Sequence, residues 1–262
     1  MRSLLGTFIL SLFFMANDLP YSWSNETKLY QESEIRSHEM TKKKNVSFLE
    51  KKLRQDLSTA YKLVNKMEMD ELIWNHISAR FENRILITPG GMHFSQIHSN
   101  NIVKNSRNIT GDIIHEAIYD GRSDVNSIVH LHTPAAVAVS CLKEGFIPLA
   151  QESTYFYKKV SYYDWSGISN DFDEKKLIRK AVKGNPKVLV MKNHGFCTMG
   201  ESIAEAWVLA FFFEKSCRTQ LNVLKTGRAV NVPDSTSMIQ ASKTSELQEF
   251  KAGIEWYALQ YL

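Results

Sequence analysis

The chain has 262 residues, of which 44% are hydrophobic and 23% charged, so it is long enough to bury a sizeable core and has the balance of an ordinary globular protein. A net charge of +4 spread over many lysines is too weak to argue for nucleic acid, and leaves an anionic small molecule as an eligible partner. Cys141, Cys197 and Cys217 are an odd, sparse set with no C-x-x-C pair, which excludes a disulfide framework and a thiolate zinc site and predicts small buried hydrophobes in a reducing compartment.

The elements follow in chain order. Leu4 to Met15 is apolar, follows Arg2 and ends at Ala16, the outline of a secretory signal, yet it is too short to span a membrane. The competing reading is an upstream extension with Met40 as the working start. The first reading implies a secreted or periplasmic protein and the second a cytoplasmic one. Residues 17–47 are polar and aperiodic, so 1–47 is expected to be an extension and linker, 48–225 the folded domain, and 226–262 a C-terminal segment with a helix packed on it. Leu49, Leu53, Leu57, Ala60, Tyr61 and Val64 fall at helical spacing. Asp70–Ser78 holds a short apolar run ending in NHIS. Arg84–Thr88 reads as a strand broken by Pro89, Gly90 and Gly91.

Ile113–Tyr119 predicts a helix, and Ser127–Val129 a short strand running into His130-Leu131-His132. Thr133 as N-cap and Pro134 at the first position then open a second helix. Tyr155–Tyr163 is rich in tyrosine and valine and predicts a strand. Further on come a helix over Glu174–Val182, a buried strand over Lys187–Met191, and a returning hairpin strand over Phe196–Met199. A long helix over Ser202–Leu221 and a last one over Glu246–Tyr261 complete the chain. Such irregular alternation with a hairpin predicts an α/β fold, a mixed sheet with helices on both sides.

Three of the eight histidines stand out. Side chains at i and i+2 share one face of a strand, so His130 and His132 can converge on one ion while Leu131 faces the core. His194 follows the apolar strand KVLVM, with Gly195 allowing a tight turn and room for a ligand. Three imidazoles with an open fourth position make a catalytic zinc site, and zinc there polarises a carbonyl or enediolate oxygen. Taken alone, H-x-H is a weak signal.

The stretch VHLHTPAAVAVS, then PLAQE, then KVLVMKNHGFCTMGESIAEAW resembles the class II aldolase/adducin family, its adducin-like branch most closely. NHISARF, ILITPGGMHFSQI and HEAIYDGRSDVNSIVH support this in order, and the likeness runs from about Leu53 to Leu221. It implies a three-layer αβα fold around a central, mostly antiparallel mixed sheet. It also implies Zn2+ on His130, His132 and His194, and a homotetramer with sites near subunit interfaces. Family sugar-phosphate enzymes hold phosphate with an N-x-S turn and a T-P-x-G turn. That assigns Ser78, Thr88, Gly90 and Gly91 to substrate binding, although His76 stands where those enzymes tend to carry asparagine. Read alone, TPGG is an ordinary turn.

The likeness breaks at one point. Gly111 falls where family aldolases place a proton-shuttling glutamate, and Asp112 is one position off. Glu152 occupies the place of a tyrosine that reaches a neighbouring subunit's site, and is either an acid/base group or an ion-paired surface residue. Asp112 and Glu152 are thus the candidate catalytic carboxylates. His115 is expected to be a packed structural histidine, and His93 and His98 have no role assigned. Two functions follow. One is a zinc-dependent aldolase-type lyase or epimerase acting on a small hydroxycarbonyl or sugar phosphate through an enediolate. The other is an adducin-like binding or assembly module that kept the fold. Neither reading needs nucleic acid or a membrane.

Overall fold

A computed structural model describes residues 48–104, 106, 108–164, 167, 172–246, 253 and 256–261; the signal-or-extension reading of residues 1–47 lies outside the described residues. Helix α1 (Phe48–Lys66) buries Leu57, Ala60, Tyr61 and Val64 of the stripe its spacing predicts, while Leu53 is half-buried and Leu49, in the first turn, is exposed. Strands β1 (His76–Phe81) and β2 (Arg84–Ile87) form a hairpin. Helix α2 (Ile109–Gly121) begins at Asn108, whose side chain accepts the Gly111 N–H. It is followed by β3 (Ser127–Leu131), α3 (Pro134–Ser140) and β4 (Val160–Tyr163). Then come α4 (Phe172–Ala181), the β5 (Val188–Met191) and β6 (Gly195–Gly200) hairpin, α5 (Ile203–Leu224) and α6 (Ser235–Glu246).

The six strands form one mixed sheet in the order β2-β1-β3-β6-β5-β4. Only β4 and β5 run parallel; all other neighbours are antiparallel. Alternation along each strand divides the core into two. Ile77, Ala79, Val129, Leu131, Val190 and Phe196 pack under α1 and α5, around Tyr61, Trp207 and Phe213. Ile128, Leu189, Cys197 and Met199 face the opposite way, under Ile114, Ala117 and Ile118 of α2 and Ile178 of α4. A sheet covered on both faces by helices is the αβα arrangement expected.

Four local expectations need correction. Tyr155 and Phe156 lie in a 3-10 turn, Gln151–Phe156, and the strand begins only at Val160. Their aromatic rings pack on Phe212 and Phe213, so the apolar content signalled burial rather than extension. Thr133 precedes α3 without capping it by a side-chain hydrogen bond, because its hydroxyl is turned to Glu214 of α5. Cys141 is exposed, and only Cys197 and Cys217 are buried thiols. In the C-terminal segment α6 forms where no element was expected. The expected Glu246–Tyr261 helix falls partly outside the described residues, with helix described at Trp256–Leu259 and Trp256 packed on Trp207.

Candidate metal centre

Two strand ends and one hairpin turn bring the histidines together. β3 pairs with β6 from Ser127↔Gly200 to Leu131↔Phe196, so the residues just beyond this register meet the β5–β6 turn. That turn, residues 192–194, is closed by the His194 N–H donating to Met191 O at 3.1 Å, with Asn193 at φ 59°. The left-handed residue is therefore Asn193, not Gly195. Gly195 serves close approach instead: a Cβ there would lie 2.6 Å from Leu131 O and 2.8 Å from His132 Cδ2. The bare backbone lets His194 sit beside the other two rings, at centroid distances of 5.1 Å from His130 and 4.7 Å from His132. Ligand nitrogens of all three lie within 4.8 Å of one another.

The protonation pattern shows what such a cluster fits. His130 Nδ1 is 3.0 Å from Phe196 O, and a carbonyl only accepts, so that nitrogen carries the proton. His132 Nδ1 is 2.6 Å from Glu71 Oε2, and the same argument protonates it. The two Nε2 atoms, whose lone pairs remain, face each other at 2.8 Å. Lone pairs at that distance require a positive charge between them. A proton shared by the two rings would supply that charge, and with a third nitrogen in reach the cluster also fits the donor set of a metal ion. Binding of the distal N–H to a carboxylate or carbonyl is also how metal-ligating histidines are held in one tautomer.

Electrostatics agree with neutral rings at His130 and His194. Burial, reinforced by the facing His76, His132 and His194, holds His130 far below the usual imidazole range. Burial, with His132 adding and Glu71 opposing, pushes His194 down to about 4. Burial pushes the Cys197 thiol up, so its sulfur, 3.3 Å from His130 Nδ1, is no thiolate ligand.

A second polar row lies behind the first. Strand β1 points His76, Ser78 and Arg80 at α2, and α2 lays Gly111, His115 and Tyr119 over them, one per helical turn. His76 Nδ1 is 2.6 Å from His115 Nε2, His115 Nδ1 is 2.5 Å from Ser78 Oγ, and Ser78 Oγ is 2.8 Å from Tyr119 OH. Arg80 lies over the Tyr119 ring and donates to the carbonyls of Tyr119, Arg122 and Val125, satisfying the C-terminal end of α2. Burial alone pushes His115 down to about 3. The His76 ring stacks on His130 at 4.5 Å and 22°, joining the two rows.

The remaining expected site residues lie elsewhere. Asp112 is half-buried with its carboxylate accepting the Ser106 N–H and hydroxyl, and burial raises its pKa while Ser106 opposes. Glu152 is ion-paired with Lys215 of α5 at 3.2 Å and is not in the histidine cluster. Ser78 is fully buried and its hydroxyl engaged as above. Thr88 is buried, its hydroxyl accepting the Ile77 N–H and meeting Tyr61 OH at 2.9 Å. The Gly90 N–H donates to Ser106 O at 2.7 Å, and Gly91, at φ 79°, is exposed. Sequence reasoning missed Glu71, which reaches His132 from the loop between α1 and β1, 61 positions away. It also missed Glu214, a buried carboxylate on α5 that accepts the Thr133 hydroxyl and the Ala136 N–H, anchoring the residue next to His132.

Comparison with known proteins adds context to this geometry. The family model described as Class II Aldolase and Adducin N-terminal domain matches residues 55–221. A protein of Caulobacter vibrioides named "Putative aldolase class 2 protein" is 36% identical over 204 residues, covering 72% of this chain and 79% of its own. Rat alpha-adducin is 34% identical over 213 residues, 74% of this chain, but the chain spans only 28% of the adducin's length. Among solved structures, an aldolase II superfamily protein from Pseudomonas syringae superposes with a TM-score of 0.77 at 28% identity, covering 82% of this chain and 93% of that one. Among the described residues, no helix is long and apolar enough to cross a membrane.

Proposed function

The chain belongs to the class II aldolase and adducin family, and on that premise we propose that it is a zinc-dependent aldolase-type lyase or epimerase acting on a small hydroxycarbonyl, phosphorylated or not. One observation carries the reading: two imidazole Nε2 atoms stripped of protons by their Nδ1 partners, 2.8 Å apart, with His194 as third nitrogen. Zinc held there supplies Lewis-acid polarisation of a carbonyl or hydroxyketone oxygen. Glu71 and Phe196 O orient the ligand rings, and the buried surroundings of His130 keep it neutral and free to bind.

The finer assignments extend the proposal. The Thr88–Gly91 turn takes the distal, anionic end of the substrate, its exposed corner at Gly91 being the part not already committed. Ser78 and Thr88 shape that region through their protein partners. Asp112 or Glu152 moves the substrate proton, Glu152 by leaving Lys215 for a neighbouring subunit's site in a homotetramer. Light scattering tests the last point: a monomer removes Glu152 from the chemistry. The cytoplasm is the matching location.

A second reading, a non-catalytic binding or assembly module, is favoured by Gly111, which offers no carboxylate beside the histidines. Elemental analysis of the purified chain, followed by an aldol-cleavage screen of sugar phosphates and their unphosphorylated analogues, decides between them. One zinc per chain and cleavage of any member supports the lyase. A chain that takes up no zinc and gains no thermal stability from it supports the module.

A further inference from the structure

The two polar rows meet at one position that neither explains alone. The helix stripe Gly111, His115, Tyr119 covers the strand stripe His76, Ser78, Arg80, and its first member has no side chain. A Cβ at residue 111 would lie 3.1 Å from His76 Cδ2, 3.3 Å from Nε2 and 3.4 Å from Cγ. The His76 ring can yield only by disturbing its stack on His130 or its bond to His115. The strand thus supplies a ring where the helix would otherwise supply a side chain.

The hydrogen-bond chain fixes which edge of that ring carries its proton. Among the described residues the only partner of the buried Tyr119 hydroxyl is Ser78 Oγ, so the phenol donates to it. The Ser78 hydroxyl then donates to His115 Nδ1, and His115 Nε2–H donates to His76 Nδ1. The reverse polarity would leave the phenolic hydrogen in the core without an acceptor, at the full cost of an unmade bond. The proton of His76 is therefore on Nε2. Among the described residues that atom has no hydrogen-bond partner, Nδ1 alone being paired. Its N–H edge borders the space that Gly111 leaves, 3.3 Å from where a Cβ would stand.

We propose that His76 Nε2–H is a fixed, uncharged hydrogen-bond donor to an anionic oxygen of the substrate, carboxylate or enediolate, seated against His130, His132 and His194, and that Gly111 exists to make room for it. A neutral imidazole held in one tautomer stabilises developing negative charge without taking up or releasing a proton. The site therefore selects a substrate that needs charge stabilisation at this point, where a carboxylate would repel the same oxygen. The inference rests on the zinc reading above.

The test uses the full chain loaded with zinc and acetohydroxamate, a small anionic oxygen chelator, as probe. His76→Phe keeps a ring against His130 and removes the N–H. Calorimetry is expected to show one zinc retained and acetohydroxamate weakened ~10- to 100-fold, the worth of a charge-assisted bond. His76→Gln places an amide N–H at similar reach and is expected to recover most of that loss. Gly111→Ala, which leaves the donor but displaces it, is expected to weaken the probe about threefold to tenfold. Independently of any ligand, the nitrogen shifts of a histidine-labelled chain report the His76 tautomer. A proton on Nδ1, or zinc retained with acetohydroxamate affinity unchanged in both His76→Phe and Gly111→Ala, overturns the proposal while the zinc reading stands. A wild-type chain that binds no zinc overturns both. Should His76→Phe fail to fold, the tautomer and Gly111→Ala still decide.

Discussion

The two histidine rows lie within one ring-stack of each other and differ in what they leave undone. In the row of His76, His115, Ser78 and Tyr119, each proton except the one assigned to His76 Nε2 has an acceptor within the row, and the residues are buried. In the row of His130, His132 and His194, the outer nitrogens of His130 and His132 are satisfied and their inner ones are turned on each other, with His194 beside them. On the proposed reading the first is scaffold and the second a receptor for a cation. Residue type does not separate them; the disposition of the protons does.

Breaking the receptor row is expected to give the largest effect. His130→Ala removes a ligand and should weaken zinc binding on the order of a thousandfold, about 4 kcal/mol, measured by competition with a chelating dye. Breaking the scaffold row instead should cost stability and leave the ligand count intact. Ser78→Ala strands the Tyr119 hydroxyl and His115 Nδ1 in the core and is expected to lower unfolding free energy by about 2–4 kcal/mol in urea titrations. Gly195→Ala strikes both, since its Cβ meets Leu131 O and the His132 ring; about 1–3 kcal/mol of stability and a loss of zinc affinity should appear together.

Subtler changes sharpen the contrast. Glu71→Gln removes charge from a half-exposed carboxylate, so the melting temperature of the zinc-free chain should hold while zinc affinity falls ~10- to 100-fold. Acid titration of the zinc-free chain reads the scaffold. The folded pKa of His115 is depressed to about 3 from 6.5, so below pH 6.5 the unfolded chain binds a proton that the folded one refuses. Stability should be flat above that pH and fall toward pH 3, by up to ~1.4 kcal/mol per pH unit for this ring. His115→Gln should flatten that part of the slope in thermal melts.

Much of this was legible in the chain. Strand periodicity around Leu131 and the apolar run before His194 place the receptor row, because alternation is a local rule that tertiary packing preserves here. The layers of the fold were legible for the same reason. Glu71 was not, because it belongs to no periodic element and acts across the sheet edge. The scaffold row left a trace that only pairing reveals: positions 76, 78 and 80 at period two, and 111, 115 and 119 at period four, are unremarkable until β1 and α2 are known to face each other. Gly111 read as a missing carboxylate, and its structural meaning, room for a ring from another element, needs the register. Tyr155–Tyr163 misled because aromatic content marks burial without marking extension.

Glu214 couples the long helix to the histidine cluster through a single carboxylate, which fixes how deletions are tolerated. Deleting one residue between Ile203 and Glu214 would rotate that carboxylate by about 100° around the α5 axis, leaving Thr133 and the Ala136 amide unanswered. The same deletion beyond Glu214 would pass without touching either. The first half of α5 is therefore a ruler with a fixed length, and the second half is held separately by buried Gln220, whose amide accepts the Ile147 N–H and donates to Gly145 O.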